Sequence, residues 1–328
     1  MKKKSFLSNS SHGELQTSCI EFILSNFFDY DQKLSPKSYV AQGRELTIEI
    51  DPPKKLDITI RLTFKDGILA DEVYDYRTRV LRFLTTYMQA PVEIPQTFYY
   101  LNDKRYALKP HDNDTQYLDR GNANHIIYGN TGFINDFLNY VFNFKVLGNT
   151  AHLYAAYIEF FHRDVYYESI IFNLLACVDS IASKIKIRNE VSKTHKKRSD
   201  EYDKFIGEIT GLKKSGGIRS IKSGLFAHLR DERSKENYVE KSDFKMKLHL
   251  LFDYVDSDRL DDKIASALNS LRNDIAHGND YDFDRYANGY TDSQGVEYPP
   301  VTGDDIKKIA DVCWHAIFKF SHKEAAKV

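Results

Sequence analysis

Apolar and polar positions follow two rhythms along this chain. Leu15 to Leu24 (LQTSCIEFIL) and Glu45 to Ile50 (ELTIEI) alternate residue by residue, and Leu56 to Phe64 (LDITIRLTF) resumes the alternation after Asp51-Pro52-Pro53-Lys54-Lys55. Alternation of period two marks strands buried on one face, and a charged, proline-bearing connection between two of them predicts antiparallel neighbours. From Asp71 to Met88 the period changes: Val73, Tyr76, Val80, Leu81, Leu84 and Tyr87 form a helical stripe. Pro91 and Pro95 close it, and strand-like pieces (TFYYL, RYALK) follow. The pattern predicts an α+β domain over residues 1–130, an antiparallel sheet with a helix lying on it.

Beyond Gly132 the helical period takes over, predicting an all-α bundle over residues 131–328. Phe133 to Val146 is one apolar-faced segment, broken by Gly148-Asn149; Ala151 to Phe161 and the long Val165 to Ile187 follow. Phe244 to Tyr254 makes a further helix, with Leu248, Leu251 and Phe252 on its apolar side. The next carries Ile264, Leu268, Leu271 and Ile275 at helical spacing and stops at Gly278. A long aromatic loop then runs to Pro300, in which Tyr281, Phe283 and Tyr286 are candidates either to stack on bases or to cover the helical bundle. Thr302 with Asp305 three residues on predicts the start of a last helix reaching about Lys323.

Composition changes this picture little. The formal net charge of −1 argues neither for nor against a nucleic-acid partner, so only local patches bear on one. Cys19, Cys177 and Cys313 stand far apart inside apolar runs, the pattern of buried reduced thiols, with no spacing that suggests zinc. No cofactor-binding motif is present, and no apolar run has the length of a signal peptide or membrane span, so a cytoplasmic protein is expected. One region departs from the average. Lys184 to Lys235 holds 15 Lys or Arg against 7 Asp or Glu, densest at Lys193, Lys196, Lys197 and Arg198, with Lys213 and Lys214 in a glycine-rich stretch. Phosphate backbones bind such surfaces through counterion release, although a solvated connector has the same composition.

The candidate chemistry lies in LNSLRNDIAHGN, residues 268–279. Arg272, Asn273 and His277 gain little from a core. Asn273 and His277 are one turn apart on one face, while Arg272 sits about 140° around the helix from His277. A single helix does not bring this Arg and His onto one small group. A second copy packed across a two-fold axis would gather two of each in one cleft. Upstream, Glu168 and Asp179 fall on nearly the same face of the long apolar helix. Each is either a surface acid or a carboxylate that pairs with Arg272 or orients His277.

Arg272, four intervening residues and His277, with Asn273 directly after the Arg, resemble the Arg-to-His signature of the HEPN superfamily. YYESIIFNLLACVDSIASKI and LNSLRNDIAHG, placed after an α+β region containing VLRFLTTYMQAPVEI, resemble its ApeA-type antiphage branch over about residues 150–320. The resemblance implies a HEPN helical domain, a homodimer, and a metal-independent endoribonuclease that acts on RNA, with tRNA suspected, in abortive infection. It implies His277 as general acid or base, Arg272 on the phosphate, and Asn273 orienting the imidazole or a phosphate oxygen. It also selects Asp179 over Glu168 as the supporting acid. A phage-derived trigger or an antitoxin is a possible further partner. Some HEPN chains are non-catalytic scaffolds, and others are toxins silenced by nucleotidyl transfer to a Tyr two residues after the His, where this chain has Asn279.

Overall fold

The computed structural model describes residues 16–25, 34–41, 43–54, 57–108, 131–162, 167–185, 200–201, 204–208, 243–277, 283–292 and 295–326. The chain divides into two compact units, Met1–Leu174 with Ile317–Val328, and Leu175–Ala316. An N-terminal antiparallel sheet region is followed by a mostly helical C-terminal part.

The first unit begins with β1 (Gln16–Ser25), β2 (Leu34–Ala41), β3 (Arg44–Lys54) and β4 (Asp57–Leu69). After α1 (Glu72–Met88) come β5 (Glu93–Leu101) and β6 (Lys104–Ala107). The six strands lie in the order β2-β3-β4-β1-β5-β6, all neighbours antiparallel. Registers Ile48–Leu62–Ile20 and Ile50–Ile60–Phe22 align the alternating apolar residues of β3, β4 and β1 into rows, each member no more than 1% exposed. A slip of one residue would turn every one of these side chains to the other face, so burial itself fixes the register. The opposite face carries the complementary polar row Glu49–Arg61–Glu21. Arg61 Nε donates to Glu21 Oε1 at 2.9 Å and Nη1 to Glu49 Oε2 at 2.5 Å. Pro52-Pro53 does not end β3 as the sequence suggests. The strand runs on to Lys54, which pairs with Asp57 after a register shift, the kind of irregularity at which a strand tolerates proline.

Val73, Tyr76, Val80, Phe83 and Leu84 give α1 its buried face, and Tyr76 meets Phe64 of the sheet with ring centroids 5.1 Å apart. The first unit continues through α2 (Thr131–Phe142), α3 (Phe144–Leu147) and α4 (Asn149–Phe161) and takes in the first half of α5 (Tyr167–Lys184). The apolar segment expected from Phe133 to Val146 is interrupted at Asn143, whose Nδ2 donates to the Ser321 carbonyl at 3.2 Å. Phe83 is the hub of this unit: the rings of Phe133, Phe137 and Tyr140 lie 5.4, 5.2 and 5.6 Å from it.

The second unit holds the rest of α5, then α6 (Asp243–Tyr254), α7 (Asp262–His277), α8 (Phe283–Asn288), β7 (Tyr290–Thr291) and β8 (Glu297–Tyr298). It closes with the greater part of α9 (Gly303–Ala325). Leu175, Val178 and Ile181 of α5, Leu248, Leu251 and Phe252 of α6, Leu268 and Leu271 of α7, and Ile309 and Cys313 of α9 are all fully buried. Asp261 caps α7, accepting from the Lys263 N–H at 2.7 Å. The capping box at α9 is reciprocal: Thr302 N–H donates to Asp305 Oδ2 at 2.9 Å, and Asp305 N–H to Thr302 Oγ1 at 3.3 Å.

The stretch after Gly278, expected to be a loop, contains α8 and the paired β7 and β8. Gly289 makes that arrangement possible. It has φ +80°, and a Cβ added there would stand 2.8 Å from the Tyr298 carbonyl oxygen. Gly289→Ala is expected to cost at least about 1–2 kcal/mol from the left-handed backbone alone. Hydrogen exchange across residues 289–300 checks this; protection equal to that of the parent chain would refute it.

Candidate functional site

Three helices of the second unit converge on one carboxylate. The buried stripe of α5 leaves Asp179 at its edge, with the side chain 22% exposed. On α7, Leu268 and Leu271 face the core, which places Arg272 at the margin of the buried face. On α6, burial of Phe244, Leu248 and Leu251 leaves Lys247 half-buried. Asp179 Oδ2 accepts from Arg272 Nη2 at 2.8 Å, and Oδ1 accepts from Lys247 Nζ at 2.9 Å. Arg272 Nη1 donates to Asn273 Oδ1 at 3.0 Å, and its Cζ lies 5.9 Å from the centre of the Phe244 ring. The guanidinium is thus fixed by a carboxylate, an amide and an aromatic face, a rigid and partly desolvated cation of the kind that binds phosphate.

These bonds join three of the four residues selected as catalytic candidates, Arg272, Asn273 and Asp179. The fourth, His277, is the last residue of α7, and its side chain lies outside the described residues. Asn273 was expected to orient the imidazole or a phosphate oxygen; here its carbonyl oxygen accepts from Arg272. The carboxylate on Arg272 is Asp179's; Glu168 stands in the first turn of α5. The basic candidates Lys193, Lys196, Lys197, Arg198, Lys213 and Lys214 lie outside the described residues, as does Tyr281.

Tyr286 does not serve as a stacking platform. It is 2% exposed, and its hydroxyl donates to Asp274 Oδ2 at 2.5 Å, tying α8 to α7. Burial and the Asp274 carboxylate both push the Tyr286 phenol well above its usual range, so it remains a hydrogen-bond donor. Sequence reasoning missed Lys247. In DFKMKLHLLFDY a Lys beside an apolar stripe reads as a solvated edge, and only the crossing of α6 with α5 reveals its partner. The other notable polar group of α6 is His249, which is 9% exposed and whose ring pKa is lowered by burial. Its Nε2 stands 3.1 Å from Asp262 Oδ1 without hydrogen-bond alignment.

Among the described residues, no group of three or more His, Cys, Asp or Glu side chains converges as a metal site, and no helix is long and apolar enough to cross a membrane. Compared with family models, curated proteins and solved structures, the chain gives no match.

Proposed function

We propose that this chain is a HEPN endoribonuclease of the ApeA-like antiphage kind, acting in the cytoplasm as a homodimer and needing no metal. The observation that carries the reading is the clamping of Arg272, the first residue of the Arg-to-His motif, by Asp179 of the long preceding helix. Asp179 is also the acid that the resemblance selects over Glu168.

In the proposed reaction the ribose 2′-oxygen forms a bond to the adjacent phosphorus while the bond from phosphorus to O5′ breaks. A 2′,3′-cyclic phosphate and a 5′-hydroxyl result. His277 takes the 2′-hydroxyl proton or gives one to O5′, tasks that an imidazole can perform as base or as acid. Arg272 holds the nonbridging oxygens and the charge that builds on them. Since Arg272 and His277 project about 140° apart on one helix, the acting pair comes from two chains. The substrate is RNA, tRNA being the first to try, and activation would fall to a phage-derived trigger or release from an antitoxin.

The test is to incubate purified protein with bulk tRNA in the presence of EDTA and determine the chemistry of the new ends. Cyclic phosphate and 5′-hydroxyl ends are expected; 5′-phosphate ends, or cleavage that EDTA abolishes, would overturn the reading. The carboxylate bridge from α7 to α5 and α6 also favours a second reading, a non-catalytic HEPN scaffold in which Arg272 only knits helices together. Intact RNA under every triggering condition would favour that alternative.

A further inference from the structure

We propose that Lys247 is a second phosphate-binding cation of this centre, acting with Arg272 on one phosphodiester, and that Asp179 sets the spacing between the two. The inference rests on the ribonuclease reading and adds to it a residue from α6, a helix outside the motif.

The geometry is specific. Each oxygen of a single carboxylate takes a different cation, Lys247 Nζ at 2.9 Å and Arg272 Nη2 at 2.8 Å, so the two positive groups flank one small anionic group. A phosphodiester presents two nonbridging oxygens in a similar arrangement. A guanidinium facing one carboxylate alone usually engages it with two parallel N–H bonds. Arg272 instead spreads its two terminal nitrogens over Asp179 and Asn273, and Lys247 occupies the second carboxylate oxygen.

Exposure points the same way. The side chains of Lys247, Asp179 and Arg272 are 20%, 22% and 36% exposed, so the group is open to a ligand yet sunk enough to weaken screening by salt. Lys and Arg divide the work. The planar guanidinium is locked by its partners, while the ammonium on its flexible stem can turn from carboxylate to phosphate as the substrate docks.

The experiment uses the full chain with bulk tRNA, comparing the parent protein with Lys247→Met, Lys247→Gln and Lys247→Arg. Loss of the charge is expected to lower kcat/KM by about 10- to 100-fold, mostly through KM, and Lys247→Arg should recover most of it. The slope of log kcat/KM against log salt should become shallower by about 0.7–0.9 in the neutral variants, one phosphate contact fewer. A purely structural Lys would change the melting temperature and leave that slope alone. Neutral variants with parental kcat/KM and salt slope would overturn this inference while the parent chain still cuts, leaving the ribonuclease reading intact. A parent chain that cuts no RNA under any triggering condition would remove both. If Lys247→Met does not fold, Lys247→Gln and Lys247→Arg decide the matter by the same slope.

Discussion

Arg272→Ala and His277→Ala proteins are each expected to cleave RNA about 10²–10⁴ times more slowly than the parent chain, the loss typical of a general acid–base or a charge-stabilising group. The informative result is their mixture. If one active centre draws its guanidinium from one protomer and its imidazole from the other, random pairing makes half the dimers mixed. In each mixed dimer one centre is complete and the other lacks both groups. The mixture should therefore regain about a quarter of the parental rate per chain. A centre whose Arg and His come from the same chain stays dead in every pairing. No recovery, despite demonstrated subunit exchange, would defeat the composite site and with it the main reason for placing these two residues in one reaction. Arg272 also has a structural role through Asp179, so Arg272→Lys is the useful companion. It preserves the charge but loses the fork that spans Asp179 and Asn273, and should remain impaired.

How far this arrangement was legible beforehand differs from element to element. Alternation in LDITIRLTF and ELTIEI sufficed for the central strands, because one face of the sheet is buried and the pattern has only one way to satisfy that. The Arg272–Asp179 pair was anticipated as a possibility, since a carboxylate in a greasy helix needs a partner. Lys247 was not. A Lys at the edge of an amphipathic helix has the same local sequence whether it faces water or another helix, and only the crossing of α6 with α5 distinguishes them. The stretch from Phe283 to Tyr298 misled for a related reason. Short elements such as α8 and the two-residue strands β7 and β8 carry too few residues for a period to show, and they are held by the Tyr286–Asp274 bond to α7. The sheet and the later helices were expected to separate at residue 130, where the period changes. The first compact unit nonetheless runs on to Leu174 and resumes at Ile317, because compactness depends on which rings meet.

Those rings support the second large effect. Phe83→Ala is expected to destabilise the first unit by about 3–5 kcal/mol, the range for deleting a fully buried aromatic side chain. Phe83 is 0% exposed, and beyond its α2 neighbours it faces Tyr87 at 5.3 Å and Phe318 of α9 at 6.3 Å, measured between ring centres. These are mostly tilted or edge-to-face contacts made by residues from three helices, so no single neighbour can move in to fill the space without abandoning others. Against a typical domain stability of about 5–15 kcal/mol, the loss removes a large share. Hydrogen exchange of α1 and α2 under increasing urea is the measurement to make. Phe172→Ala, at a side chain 41% exposed in the same unit, supplies the contrast and should shift stability by no more than about 0.5 kcal/mol. Equal shifts in the two variants would mean that the cluster around Phe83 yields as easily as the surface, and that packing of these rings does not hold α1, α2 and the end of α9 together.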